Sequence, residues 1–365
     1  MVCIAALNET QGGEKRVALT PEMVKKYHSH GHKVILEKGA GVASFFPDQA
    51  YTEAGAHIVT RAAVLKESNV LLTLGNLKLA DWKKLAKKTF VVGLLGELSD
   101  ETTAIIEAHK LHIFDLERLP RVSRAQTMDI LSSQSTITGY ASVILAAQAS
   151  SSLFPLLMTS AGTLSPQRVL VLGAGVAGLQ AIATAKRLGA HVTAYDIRPD
   201  ARDQVTSLGA NFLEIALHEE NTETKDGYAK EVSKTSQKAQ QEALKKAFTK
   251  TDSVITTALI PHKKAPLLIT KQMLNHLKPG SVVVDLAAER GGNCEVTVPG
   301  QTIIHEGIKV LGALNVASLH AKDASRFYAK NLFHFTELLF TQEGTLRQTW
   351  DDDILKATYL SQNAS

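Results

Sequence analysis

Val169-Leu170-Val171-Leu172-Gly173-Ala174-Gly175-Val176-Ala177-Gly178-Leu179-Gln180 is the stretch whose reading decides the fold. Its first four residues are apolar without interruption, the pattern of a strand buried on both faces. They run into G-x-G-x-x-G, and a helix rich in Ala, Leu and Lys follows. Gly173 permits the tight turn, Gly175 lets the main chain approach a pyrophosphate, and Gly178 lets the helix pack close to the strand. The helix N-terminus then offers N–H groups and a partial positive charge to the phosphates. A second strand, residues 191–195, ends at Asp196, near the offset of about 20 residues at which an acid meets the adenosine ribose. A carboxylate there accepts from the 2′-hydroxyl and repels a 2′-phosphate, so the expected cofactor is NAD(H) rather than NADP(H). Arg198 pulls the other way, since a nearby Arg accommodates a 2′-phosphate. The acid at the strand tip outweighs it.

Outward from this unit the chain alternates between short apolar runs and polar helical segments. Residues 2–7, 33–36, 70–74, 90–95 and 112–115 read as strands of a first domain, and Thr20-Pro21-Glu22 as a helix start, with Thr20 able to cap. A second series runs through 168–172, 191–195, 211–214, 253–258, 281–285 and 309–311. Strands alternating with helices predict right-handed crossovers and parallel sheets. The expected architecture is therefore α/β, two Rossmann-like domains joined by a long helix, with the nucleotide in the cleft between them. The first domain covers 1–131 and is completed by a C-terminal segment of about 320–365; the nucleotide-binding domain covers 132–319. No charged residue lies between Ile130 and Gln167, but Gln148, Ser150-Ser151-Ser152, Pro155 and Gly162 interrupt its apolar parts. A buried helix followed by a bend fits better than a spanning helix, which wants about twenty apolar residues.

Composition narrows the function. At 365 residues, with 44% hydrophobic and 21% charged, the chain has material for two real cores. Forty basic residues nearly cancel thirty-six acidic ones, with no long Lys/Arg block, so nucleic acid is not implied. Cys3 and Cys294 lie far apart, and His28, His30 and His32 have no carboxylate or Cys partners in a ligand pattern, so no metal site is implied. GxSxG and HExxH are both missing, which removes two hydrolytic readings. The N-terminus carries no basic leader and too short an apolar run for a signal peptide. Three further segments are polar where chemistry tends to gather. Residues 118–129 hold three Arg, a Gln and an Asp in one loop. The polar excursion at 217–239 has the length of a lid. Residues 285–294 run from a strand end into a Gly-Gly turn, at the edge where open α/β sheets bind ligands.

Taken together, the segment from Arg121 through Ser132, the fingerprint with the Leu179–Ala190 helix after it, Gly227-Tyr228-Ala229-Lys230-Glu231, Thr256-Thr257-Ala258-Leu259-Ile260-Pro261 and Gly291-Gly292-Asn293-Cys294 resemble the NAD(H)-binding domain I of proton-translocating NAD(P) transhydrogenase. The likeness covers nearly the whole chain. It implies direct hydride transfer between NAD(H) bound here and NADP(H) bound on a partner domain, coupled to proton translocation by membrane subunits. It also implies a homodimer and a cytoplasmic subunit held peripherally at the inner membrane by its partners. Residue by residue, the resemblance places Arg121, Gln126, Asp129 and Ser132 at the hydride-transfer site, with Val122 and Ser123 beside the cofactor. Arg121 would hold the carboxamide and pair with Asp129, and Gln126 would reach toward the NADP(H). Gly173, Ala174, Gly175, Val176 and Gly178 would line the pyrophosphate turn, and Asp196, Ile197 and Arg198 the adenosine ribose. Gly227 and Tyr228 match a mobile loop that closes over nucleotide; Gln240 and Leu259 align with positions beside the cofactor.

Alanine dehydrogenase shares the fold and the opening Glu14-Lys15-Arg16-Val17-Ala18-Leu19-Thr20-Pro21 pattern. That enzyme uses a Lys and a His for proton transfer, and here the corresponding strand ends read Leu74-Gly75-Asn76 and Gly93-Leu94-Leu95-Gly96. Reduction of a 2-oxo acid needs a proton donor, so their absence counts against an amino-acid dehydrogenase. Some transhydrogenases keep a His there, from which this sequence departs. A non-catalytic NAD-binding sensor is a third reading, against which the complete 121–132 segment argues.

Overall fold

A computed structural model describes residues 1–215, 234–260 and 263–360. The chain divides into two compact units, 1–134 with 317–365, and 135–316. In the first unit, strands β1 (Cys3–Ala6), β2 (Lys33–Glu37), β3 (His57–Val59), β4 (Val70–Leu72), β5 (Phe90–Gly93) and β6 (His112–Asp115) alternate with helices α1 (Pro21–Ser29), α2 (Asp48–Glu53), α3 (Arg61–Glu67), α4 (Leu79–Trp82) and α5 (Asp100–His109). The sheet order is β3-β2-β1-β4-β5-β6, every pair parallel. Strands β1, β4 and β5 are buried along their whole length. Helices cover both faces of such a sheet, which is why these strands read as unbroken apolar runs rather than as an alternation. Strand β3 was not anticipated: it is three partly exposed residues at the edge, too short to carry a period. Helix α1 starts with Pro21 as expected, but Thr20 makes no capping bond and its hydroxyl is buried without a partner. Proline's preset φ and missing N–H supply the start instead.

Helix α6 (Ile130–Ala149) takes the first half of the uncharged stretch, and the division between units falls inside it, after Gln134. No helix among the described residues is long and apolar enough to cross a membrane. An exposed hairpin follows, β7 (Leu157–Thr159) with β8 (Gly162–Leu164). The second unit then builds β9 (Arg168–Leu172), α7 (Val176–Arg187), β10 (His191–Tyr195), α8 (Ala201–Ser207), β11 (Asn211–Phe212), α9 (Lys234–Phe248), β12 (Ser253–Thr256), α10 (Lys271–Leu274), β13 (Val282–Asp285), β14 (Thr302–His305) and β15 (Ile308–Gly312). Its order is β11-β10-β9-β12-β13-β15-β14. All pairs are parallel, as expected, except β14 with β15, an antiparallel pair at the edge. Only Glu306 and Gly307 separate these two strands, with φ of 48° and 81°. Two positive φ values in succession make the tight hairpin turn whose twist suits antiparallel partners. The C-terminal helices α11 (Ala321–Glu337) and α12 (Asp353–Thr358) belong to the first unit, where Tyr328, Leu332 and Phe335 of α11 and Ile354 and Leu355 of α12 complete the core.

Both sheets reverse direction beside their first strand, between β1 and β4 and between β9 and β12. In open α/β sheets, ligands sit in the crevice at the carboxyl ends of such a pair. The two crevices are furnished differently. In the second unit the glycine turn follows β9. In the first, the chain's own Glu9 fills the position: its carboxyl accepts from the Thr73 hydroxyl at 2.7 Å, from Leu74 N–H at 3.0 Å and from Gly75 N–H at 3.4 Å. Burial penalises the charged form more than these bonds help it, and pushes the carboxyl up to about 7. The residue keeps some exposed surface, but the carboxyl itself is enclosed. A carboxyl raised in the folded state costs stability as pH climbs through its unfolded value of 4.5, and the cost is complete above about 7. Glu9→Gln removes that charge. Its stability advantage over the parent chain should grow by on the order of 3 kcal/mol between about pH 4.5 and pH 8. Urea unfolding at the two pH values measures it, and a gap of constant size would refute the assignment.

Candidate functional site

The nucleotide turn is built by close approach. Gly173 has φ 99°, in the left-handed region that side chains disfavour, and its N–H donates to Tyr195 C=O at 2.8 Å. A Cβ on Gly178 would stand 1.9 Å from the Gly173 carbonyl oxygen, so only glycine lets α7 start this near β9. A Cβ on Gly175 would meet nothing within 4 Å, and no side chain caps α7. The turn therefore has open space above it and a bare helix N-terminus beneath, which is what a pyrophosphate requires. Ala174 is buried beside the turn, while Val176 is 44% exposed at its rim.

Asp196 stands at the tip of β10, as expected, and its carboxylate ties the turn to the strand beside it. It accepts from Ala174 N–H at 2.7 Å, from Arg198 N–H at 2.9 Å, and from Arg198 Nε at 3.0 Å and Nη2 at 3.1 Å. Arg198 is thus folded onto Asp196 rather than held apart, and it neutralises part of the negative charge there. Ile197 is half-buried between them. Gln240, on α9, is buried beside the Tyr195 hydroxyl. Leu259 is 44% exposed on the loop after β12. The carboxyl ends of β9, β10 and β12 thus gather the turn, the acid and this loop on one edge of the sheet. Gly227 and Tyr228 lie outside the described residues.

In the first unit, residues 121–132 form a separate constellation. Arg121, Val122, Ser123, Arg124, Gln126 and Thr127 are exposed, whereas Ala125 and Met128 are buried in the core. The short helical stretch Ser123–Met128 therefore anchors by two apolar side chains and presents its polar ones outward. Asp129 caps α6: one carboxylate oxygen accepts from Ser132 N–H at 2.9 Å and the other from the Ser132 hydroxyl. Sequence reasoning missed what holds the loop. Asn331 of α11 donates to Thr127 C=O at 2.7 Å and accepts from the Ser133 hydroxyl at 2.7 Å. Arg124 pairs with Asp352 at 2.6 Å, an exposed pair that guides the chain more than it stabilises it. Both partners come from the far C-terminus, with no local signal to reveal them.

Glu9 was missed as well, though an acid just past the first strand of an α/β unit is a readable sign. Its consequence is chemical. The main-chain N–H groups of Leu74 and Gly75 donate to Glu9. Neither Lys nor His occurs at 74–76 or 93–96. Among the described residues, no group of three or more His, Cys, Asp or Glu is arranged to hold a metal ion.

Residues 5–138 match the family model "Alanine dehydrogenase/PNT, N-terminal domain" and residues 142–365 the model "Alanine dehydrogenase/PNT, C-terminal domain". The chain is 45% identical to the first portion of the NAD(P) transhydrogenase alpha subunit of Rhodospirillum rubrum, over 99% of this chain and 97% of that one. It is 28% identical to alanine dehydrogenase of Bacillus subtilis, over 80% of this chain and 72% of that one. The solved structure of transhydrogenase from Sinorhizobium meliloti superposes with a TM-score of 0.88 at 41% identity, covering 98% of both chains. The chain belongs to the alanine dehydrogenase/PNT family, on its NAD(P) transhydrogenase alpha-subunit side.

Proposed function

We propose that this chain is the NAD(H)-binding subunit of a proton-translocating NAD(P) transhydrogenase. The observation that carries the reading is the open glycine turn with Asp196 bonded to its Ala174 N–H, in a chain that matches a transhydrogenase alpha subunit over nearly its whole length. When bound, the nicotinamide ring supplies the chemistry, giving up or accepting a hydride. No side-chain nucleophile or general acid is needed, and the protein's work is orientation. Gly173, Ala174, Gly175, Val176 and Gly178 hold the pyrophosphate. Asp196, Ile197 and Arg198 hold the adenosine ribose, with Gln240 and Leu259 beside the cofactor. Arg121, Val122, Ser123, Asp129 and Ser132 serve the nicotinamide end, Arg121 holding the carboxamide and pairing with Asp129. Exposed Gln126 reaches toward NADP(H) carried on a partner chain. Gly227 and Tyr228 complete the set of cofactor-binding residues. The subunit acts as a homodimer in the cytoplasm, held at the inner membrane by membrane-spanning partner subunits that move the proton.

An alanine dehydrogenase activity is the less favoured reading, because Glu9 fills the first unit's crevice and the proton-transferring Lys and His are missing. The deciding experiment mixes the chain with its NADP(H)-binding partner and follows reduction of an NADP analogue by NADH. Alanine-dependent reduction of NAD by the chain alone, without transhydrogenation, would overturn the proposal.

Two outcomes follow from the residue assignments. Arg121→Ala should keep NADH affinity within about two-fold while hydride transfer falls on the order of 10²-fold, the scale of a misplaced reacting group. Single-turnover kinetics with the partner present measures the second quantity, and an unchanged rate removes Arg121 from the mechanism. NADH should bind at least about ten-fold more tightly than NADPH, and Asp196→Ser should narrow that ratio by removing the repulsion of a 2′-phosphate. Equal affinities in the parent chain, by fluorescence titration, would cancel the ribose assignment.

A further inference from the structure

We propose that Asn293 is a positioning residue of the nucleotide site, fixing the loop after β12 against the glycine turn. The inference rests on the NAD(H) reading and gives the Gly291-Gly292-Asn293-Cys294 segment, for which that reading has no use, a role in it.

The ladder between β12 and β13 ends at the pair Thr256–Asp285, with one further bond from Leu286 N–H to Thr256 C=O. Beyond it the strands part, and Ala258 would lose its neighbour on that side. Asn293 takes the neighbour's place. Ala258 N–H donates to Asn293 Oδ1 at 3.1 Å, and Asn293 Nδ2 donates to Ala258 C=O at 2.9 Å. A primary amide offers a donor and an acceptor side by side, as a peptide group does, so one side chain extends the ladder by one residue. The remaining Nδ2 hydrogen goes to Pro266 C=O at 2.8 Å. Asn293 is fully buried, and its amide has little freedom to reorient. Its own N–H is gripped by Asp285 Oδ2 at 2.8 Å, an oxygen that also accepts from Cys294 N–H and the Thr297 hydroxyl. Gly291 and Gly292, with φ of 96° and 82°, turn the chain so that the amide can reach Ala258.

On the other side of the same loop, Thr257 N–H donates to Leu172 C=O at 2.8 Å and the Thr257 hydroxyl to Gly173 C=O at 3.0 Å. A Cβ on Gly173 would lie 2.6 Å from that hydroxyl, so the two segments are already in contact. Asp285, Asn293, Ala258, Thr257 and Gly173 therefore form one continuous relay from the centre of the sheet to the phosphate turn. A residue serving only to close its own loop would bond within that loop. Asn293 instead commits both ends of its amide to the residue between the clamp on the turn and the exposed Leu259.

The relay is tested by NADH affinity, read by fluorescence titration well below each variant's melting temperature. Asn293→Ala should raise the NADH Kd at least ten-fold. Thr257→Val, which keeps shape and loses the hydroxyl, should raise it several-fold, while Thr257→Ser should stay within two-fold of the parent. The double variant Asn293→Ala/Thr257→Val should bind no more than about two-fold more weakly than the weaker single variant, because serial links do not add. A lowered melting temperature with unchanged Kd in Asn293→Ala would reduce the residue to a structural role and overturn the proposal. If that variant fails to fold, the Thr257 pair decides: Thr257→Val binding like the parent overturns the relay. A parent chain that does not bind NADH would instead overturn the functional reading.

Discussion

Everything at the nucleotide edge depends on how little room separates β9 from α7. The Gly178 position lies so close to the Gly173 carbonyl that no side chain fits between them, and Gly173 must itself adopt a backbone conformation that other residues resist. That contact brings the first turn of α7 up to the end of the strand, where its N–H groups face open space. Asp196 and Thr257 then hold the turn from opposite sides, the acid through Ala174 N–H and the hydroxyl through Gly173 C=O. Two side chains thus fix the turn through its main-chain groups, leaving its outer surface for a ligand.

The two units use one strand order to different ends. Reversal beside the first strand creates a crevice in each, but a crevice lined by glycine N–H groups attracts an anion whereas one already holding a carboxylate does not. Glu9 takes for itself the main-chain donors that an external carboxylate would need. In the first unit exposed polar residues gather instead at 121–132, where two buried apolar side chains anchor them. The two crevices differ in which side chains occupy equivalent places, since the backbones have the same topology up to the last strands.

Strands buried on both faces were readable because their apolar runs leave no alternation to confuse, and β9 and β10 fall at the residues expected, 168–172 and 191–195. Strand β3, the β7–β8 hairpin and β14 escaped the reading for the opposite reason. Each is short and partly exposed, so its residues answer to solvent and to turn geometry rather than to a core. Thr20 illustrates a local rule overridden: a good capping residue by type, it is buried with its hydroxyl unused. The glycine turn and Asp196 were legible because their chemistry is compressed into about 25 residues of continuous chain.

The amino-acid order alone determined the α/β class, the glycine turn, the acid beside it and the family likeness, since each depends on residues near one another along the chain or on a run of local motifs. Tertiary structure decided what those residues touch. Asn331 reaching Thr127, Asp352 reaching Arg124, Asn293 bracing Ala258 and Glu9 occupying the first crevice all join segments that local periodicity cannot connect. The physical reason is the demand that buried polar groups find partners. Where a strand ends or a loop turns inward, the nearest donor or acceptor in space satisfies that demand, however remote it is along the chain.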